Sequence, residues 1–161
     1  THKKQLQDYV FGIGMGWEEK PIFEANQLKI NEVRMYDSLF KMTAKGRIDF
    51  FCRAIHEIHD EWIRYKDLDG LSIEKHISIH YPLPLLFYTH KDNVDAIKRL
   101  KLGFDKAYED GSLEKLWLSE YEEKIKNINL KSRTKFFLPN PTLDDLGFDY
   151  ERYFYFELPR Y

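Results

Sequence analysis

The sequence has a single cysteine, no apolar run long enough to cross a membrane and almost no net charge, and each shortage removes a class of function. A lone Cys52 forms no internal disulfide, and its place in the string Ile48-Asp-Phe-Phe-Cys52 reads as a packed thiol in a buried strand, not a reactive one. Without about twenty consecutive apolar residues no transmembrane helix is expected. With 25 Lys+Arg against 27 Asp+Glu, the net charge of −2 gives no electrostatic reason to expect nucleic acid or an anionic membrane as partner. The usual marks of hydrolysis are also missing: no Gly-x-Ser-x-Gly elbow, no second Cys, and no carboxylate pair whose surroundings argue for a shifted pKa. There is no internal repeat and no low-complexity tract. Nor is there an initiator Met or a signal peptide; the chain starts on Thr1-His2-Lys3-Lys4 just before an ordered element, which reads as a fragment or processed product.

What is present is apolar material, 43% of the 161 residues with 16% aromatic, enough for one good core or two small ones. Val10 to Ile13 reads as an apolar strand and Gly14-Met15-Gly16 as the turn after it. A helix is expected from about Trp17 to Asn26, with Glu18 and Glu19 complementing its positive end and Pro21 tolerated in its first turn. Leu28 to Val33 is a second strand, and Tyr36, Leu39, Phe40 and Thr43 give a helical period up to Lys45-Gly46. A third strand is expected over Ile48 to Cys52. Ile55, Ile58, His59, Trp62 and Ile63 then follow the spacing of one buried helix face, ending near Tyr65.

Beyond the turn at Asp67-Leu-Asp-Gly70, Leu71 to His80 reads as a strand and Leu85 to Tyr88 as a short one, with Tyr81-Pro-Leu-Pro84 between them as a boundary or hinge. Val94, Ile97, Leu100, Phe104 and Tyr108 line one helix face, and Leu113, Leu116, Trp117 and Tyr121 another. From Lys131 onward no period survives, yet that tail holds nine aromatics (Phe136, Phe137, Phe148, Tyr150, Tyr153, Phe154, Tyr155, Phe156 and Tyr161), too apolar a set for a disordered extension.

Strand–helix alternation through residue 65 predicts an open parallel α/β sheet with right-handed crossovers. The loops Gly14 to Trp17, Arg34 to Tyr36 and Arg53 to Glu57 then open onto one rim, where such sheets bind ligands. The candidate ligand-binding residues are Gly14, Gly16, Trp17, Tyr36, Arg53 and Glu57. Backbone N–H groups of the glycine loop suit an anionic or polar group, against the plainer reading of a tight strand-to-helix turn. Trp17 offers a stacking face or simply caps its helix. Arg53 offers a guanidinium for a carboxylate or pairs with Glu57 one turn later. A dinucleotide site fits less well, because the third glycine and the ribose-binding acid are lacking. His56-Glu-Ile-His59 falls one residue short of the zincin spacing and has no third ligand, so neither metal nor cofactor is expected.

The ordered motifs Gly-x-Gly-Trp, Tyr-x-Ser-Leu-Phe-x-Met, Gly-Arg-x-Asp-x-x-x-Arg-x-x-x-Glu, Tyr-Pro-Leu-Pro, Asp-Gly-Ser-Leu-x-x-Leu, Asn-Leu-x-x-Arg and Asn-Pro resemble the extracellular solute-binding proteins of family 3, with the type 2 periplasmic binding fold. The likeness covers nearly the whole chain but only the second half of such a protein. It implies a second lobe over residues 1–80, a hinge or return strand over 81–90, and over 91–161 terminal helices and tail that pack on a first lobe this chain lacks. It further implies a periplasmic, non-enzymatic component of an ABC-type importer that closes on a small polar solute and meets a permease, or the same fold as the input domain of a membrane signalling protein. A small α/β enzyme using the glycine loop for a phosphorylated substrate is the remaining alternative. Where amino-acid-binding members hold the solute with a Gly-Thr pair and an Asp, this sequence has Gly16-Trp17 and Ala54, a departure from the pattern for a plain α-amino acid. With the first lobe absent, the apolar helix faces are expected to pair with a second copy, exchanged about the Tyr81-Pro-Leu-Pro84 segment.

Overall fold

In the computed structural model, which describes residues 6–144, β1 (Val10–Gly14) is the central strand of a three-stranded parallel sheet. β2 (Lys29–Val33) pairs with it from Val10 opposite Lys29 to Gly14 opposite Val33, and the short β3 (Phe50–Phe51) pairs with Phe11 and Gly12 on the other side. Helix α1 (Glu19–Ala25) joins β1 to β2, and α2 (Tyr36–Ala44) joins β2 to β3. Parallel neighbours need such crossovers, and they bring the three following loops to the same edge of the sheet.

Side chains alternate across β1, and its two faces differ in size. Phe11 and Ile13 are buried with Ile22 and Phe23 of α1 and with Leu28. Gly12 faces the other way, where a Cβ would come within 2.8 Å of Ile48 and 3.0 Å of Leu39. The missing side chain therefore lets α2 close on the sheet. Val33, Leu39 and Ile48 form a second core there, with Trp17, Tyr36, Met42 and Phe51 partly buried around it. Both faces of the sheet are covered, as parallel sheets require.

After β3 come α3 (Ile58–Tyr65), β4 (Ile77–His80), α4 (Val94–Glu109), α5 (Ser112–Lys126) and β5 (Thr134–Phe137), with single 3₁₀ turns at Leu130–Ser132 and Pro141–Leu143. β4 and β5 make a separate parallel pair, Ile77 opposite Thr134 and His80 opposite Phe137. Phe136 and Leu138 are buried in the same core as Phe11 and Phe23, with Ile77, Ile79 and Tyr81 packed against it. Arg133 anchors this pairing: its Nη1 donates to the carbonyls of Glu74 and Ile77, each at 2.8 Å, and its Nε to that of Ile128 at 2.8 Å. The buried Asn140 donates to the Pro82 carbonyl at 2.9 Å and accepts from Thr142 at 3.0 and 2.7 Å, so it joins the segment after β4 to the one after β5.

Several expected elements differ. The strand expected over Leu71 to His80 starts only at Ile77, because the Glu74 carboxylate takes the amides of His76 and Ile77 at 2.6 and 2.8 Å. Leu85 to Tyr88 forms no strand; among the described residues no strand pairs with it, and Leu85 and Tyr88 stand almost fully exposed. The third strand shrinks to Phe50–Phe51 because the Val10 amide bonds the Asp49 side chain at 2.7 Å instead of continuing the ladder. The expected buried face of α3 is only half-buried, and Ile63 is exposed. Conversely, β5 arises where no period was legible. The aromatics from Phe148 to Tyr161 lie outside the described residues.

Candidate functional site

Three successive strand-to-helix loops deliver side chains to one edge of the sheet, and they meet at Arg53. Its guanidinium carbon lies 5.3 Å from the Trp17 ring centroid, 5.4 Å from Tyr36 and 5.4 Å from Phe51. The three rings enclose it at mutual separations of 6.3, 6.1 and 6.2 Å, which suits a cation lying over aromatic faces. On the open side two carboxylates hold it. Glu61 accepts from Nε with both oxygens at 2.9 Å and from Nη2 at 2.7 Å, while a Glu57 oxygen forms an ion pair with Nη2 at 2.9 Å and accepts from the Ala54 amide at 3.3 Å. Arg53 and Glu61 are each only 13% exposed, whereas Glu57 is 40% exposed.

The Tyr36 hydroxyl also donates to Glu61. Burial first, and then this hydrogen bond, push the phenol well above its ordinary range, so it stays a donor. Burial works against the charge on Arg53, but the hydrogen bonds and charge of Glu61, reinforced by Glu57, hold its pKa above the usual value. One guanidinium thus sits between a firm partner and a loose one.

Of the six residues expected at the site, the structure brings Trp17, Tyr36, Arg53 and Glu57 together. Gly14 and Gly16 act through the turn. A Cβ on Gly14 would overlap the Trp17 indole, so the glycine is what lets the ring fold back over the strand end. Gly16 turns the chain with φ +78°. The amides of Met15 and Trp17 already bond the carbonyls of Val33 and Gly14, both at 3.1 Å. They are therefore engaged by backbone instead of pointing at a ligand.

Sequence reasoning missed Glu61. The signal was present, since Arg53, Glu57 and Glu61 recur at four-residue spacing, the repeat that stacks side chains along one helix face.

A groove of about 1250 Å³ runs from this edge toward β4, lined by Cys52, Arg53, Glu57, His80, Tyr81 and Asn140 among others. Trp17 lies behind the guanidinium and outside the groove wall. On the far side of Glu57, Tyr36, His56 and Tyr121 border a smaller notch, where the His56 and Tyr121 rings lie 4.9 Å apart and Lys124 of α5 pairs with Asp60 of α3 at 2.8 Å. Among the described residues no group of three or more His, Cys, Asp or Glu side chains is placed to hold a metal ion, and no helix is long and apolar enough to cross a membrane.

Comparison of the chain with protein-family models, with curated proteins and with solved structures gives no match.

Proposed function

We propose that this chain is the ligand-binding lobe of a solute-binding protein of the ABC-importer type, acting in the periplasm on a small polar solute, and that it is a binding module and not an enzyme. The observation that carries the reading is the convergence of Trp17, Tyr36 and Arg53 from three consecutive loops at the carboxyl edge of a parallel sheet, with the half-exposed Glu57 as the outermost partner of the guanidinium. That edge is where open α/β sheets take ligands. Glu61 fixes the plane of Arg53, so the guanidinium is held ready and no side-chain entropy is lost on binding. Glu57 is the exchangeable partner: it is 40% exposed and touches the guanidinium at a single point, so a solute carboxylate can take its place. The groove beside it has room for the rest of a small solute.

The test is a titration followed by NMR at the Arg53 Nε–H and the Trp17 indole N–H, using a panel of amino acids, dicarboxylates and amines. A binding solute shifts the Arg53 and Trp17 signals at millimolar concentration, about −4 kcal/mol, and Arg53→Gln abolishes the Trp17 shift while circular dichroism shows the fold retained. A panel that leaves the Arg53 signal unmoved throughout, or one whose shifts survive Arg53→Gln, overturns the reading.

A further inference from the structure

Helix α4 is amphipathic, sixteen residues long, and has no buried residue. Val94, Ile97, Leu100 and Phe104 are between 40% and 49% exposed, and at 100° per residue they share one stripe about 120° wide. The stripe is extended sideways by the exposed Phe87, whose ring lies 5.8 Å from that of Phe104. Helices of this kind draw their stability from packing an apolar face, and contiguous apolar surface of this size is rare on a free monomer. The face runs the length of a helix of about 24 Å and continues onto the exposed Leu83, Leu85, Leu86 and Phe87.

We infer that α4 is a self-association surface, pairing antiparallel with α4 of a second copy of this chain about a two-fold axis at the helix midpoint. Charge selects this occupant. Residues 91–101 carry four basic and two acidic side chains, and residues 102–110 carry three acidic and one basic. The two ends of the surface are therefore complementary to each other, and only an antiparallel copy brings unlike ends together. With the axis between Lys101 and Leu102, Lys98 of one copy faces Asp105 of the other along the charged flank of the stripe, where Asp105 already pairs with Lys101 of its own helix at 2.7 Å and gains a second cation. On the opposite flank Ala96 faces Ala107, and Leu100 faces Gly103. At Gly103, among the described residues and apart from the helix's own backbone and the adjacent residues, nothing lies within 4 Å of where a Cβ would be, so the Leu100 side chain of the second copy finds open space there.

Light scattering and sedimentation of the whole chain across a wide concentration range test this. The expected result is a species of twice the 19.5 kDa chain mass that dissociates on dilution. Leu100→Glu with Phe104→Glu is expected to give a monomer with unchanged circular dichroism. Gly103→Leu, harmless on a free helix face, is expected to weaken the dimer at least tenfold. Lys98→Glu and Asp105→Lys should each weaken it alone and recover it when the two variants are mixed, because the mixed pair sets the introduced glutamate against the introduced lysine and the native Asp105 against the native Lys98, unlike charges at both ends. A chain that stays at 19.5 kDa throughout overturns the inference, as does a doubled mass that survives the Leu100→Glu/Phe104→Glu change. Failure of the mixed charge variants to recover pairing overturns the antiparallel arrangement.

Discussion

Arg53 and Glu61 are joined by three hydrogen bonds across eight residues of chain, while Arg53 and Glu57 are joined by a single ion-pair contact across four. The difference in burial makes these pairs unequal in energy as well as in number. Losing a hydrogen bond to a charged, mostly buried group costs about 1.5–3 kcal/mol, whereas an exposed pair one helical turn apart contributes about 0.3–0.5 kcal/mol. Glu61→Gln is therefore expected to lower unfolding stability by about 2 kcal/mol, and Glu57→Gln by a few tenths. Urea titration of both variants measures this, and equal losses would mean that Arg53 is not anchored by Glu61.

Gly14 and Trp17 are expected to be coupled. An added Cβ at residue 14 displaces the indole from the strand end, at a cost of about 1–3 kcal/mol for overpacking. Gly14→Ala should lower stability by that amount and change the Trp17 indole resonance. The same substitution in a Trp17→Ala background should cost much less, and a double-mutant cycle showing no coupling would refute the packing account.

His80 gives stability a pH dependence of definite sign. Burial, and then the charge of Lys135 on the neighbouring strand, lower its pKa below the ordinary 6.5, so the folded state prefers the neutral ring. The ring lies 5.2 Å from Phe137, and its Nε2 is 3.0 Å from the Ser78 hydroxyl. The contribution is complete above about pH 6.5 and is lost as pH falls from there through the folded pKa. Melting temperature is expected to fall between pH 7 and pH 5, and His80→Asn to flatten that slope. An unchanged slope in the variant would assign the loss to other groups.

Cys52 is expected to be inert. Burial, and then the charge of Glu19, push its thiol up to about 12, against a smaller opposing effect of Arg53. At pH 8 the thiol is therefore held protonated, and little of the reactive thiolate is present. A thiol reagent should label the native chain far more slowly than the urea-unfolded chain, and comparable rates would show that the residue is open to solvent.

The alternating part of the chain was legible because each element carries its own period. β1, β2, α1 and α2 fall within a few residues of their expected bounds, since Phe11, Ile13, Ile22, Phe23, Leu39 and Phe40 each sit on a face that must be buried. Elements that depend on distant partners were not legible. β5 is four residues long, includes a lysine, and exists because β4 and the first core receive it. Likewise Glu74 delays the start of β4 by a side-chain bond that no periodicity encodes. At the site, the rim residues followed from strand order, whereas Glu61 lay one turn deeper in α3, in a position that reads as ordinary helix surface.

The Arg133 clamp also bears on how quickly this chain folds. β1 meets β2 across nineteen residues, Val10 with Lys29, but β4 meets β5 across fifty-seven, Ile77 with Thr134, with both long helices between them. Closing the longer loop delays any contact that rewards it, and folding rates fall as such distant contacts accumulate. The first sheet and its two crossovers are therefore expected to form first and β5 to dock late. Two of the three carbonyls that Arg133 bonds, those of Glu74 and Ile77, reach it only once β4 and β5 are aligned, so its effect is expected to fall after the folding barrier, as a brake on unfolding. Arg133→Ala is accordingly expected to speed unfolding while leaving the refolding rate nearly unchanged.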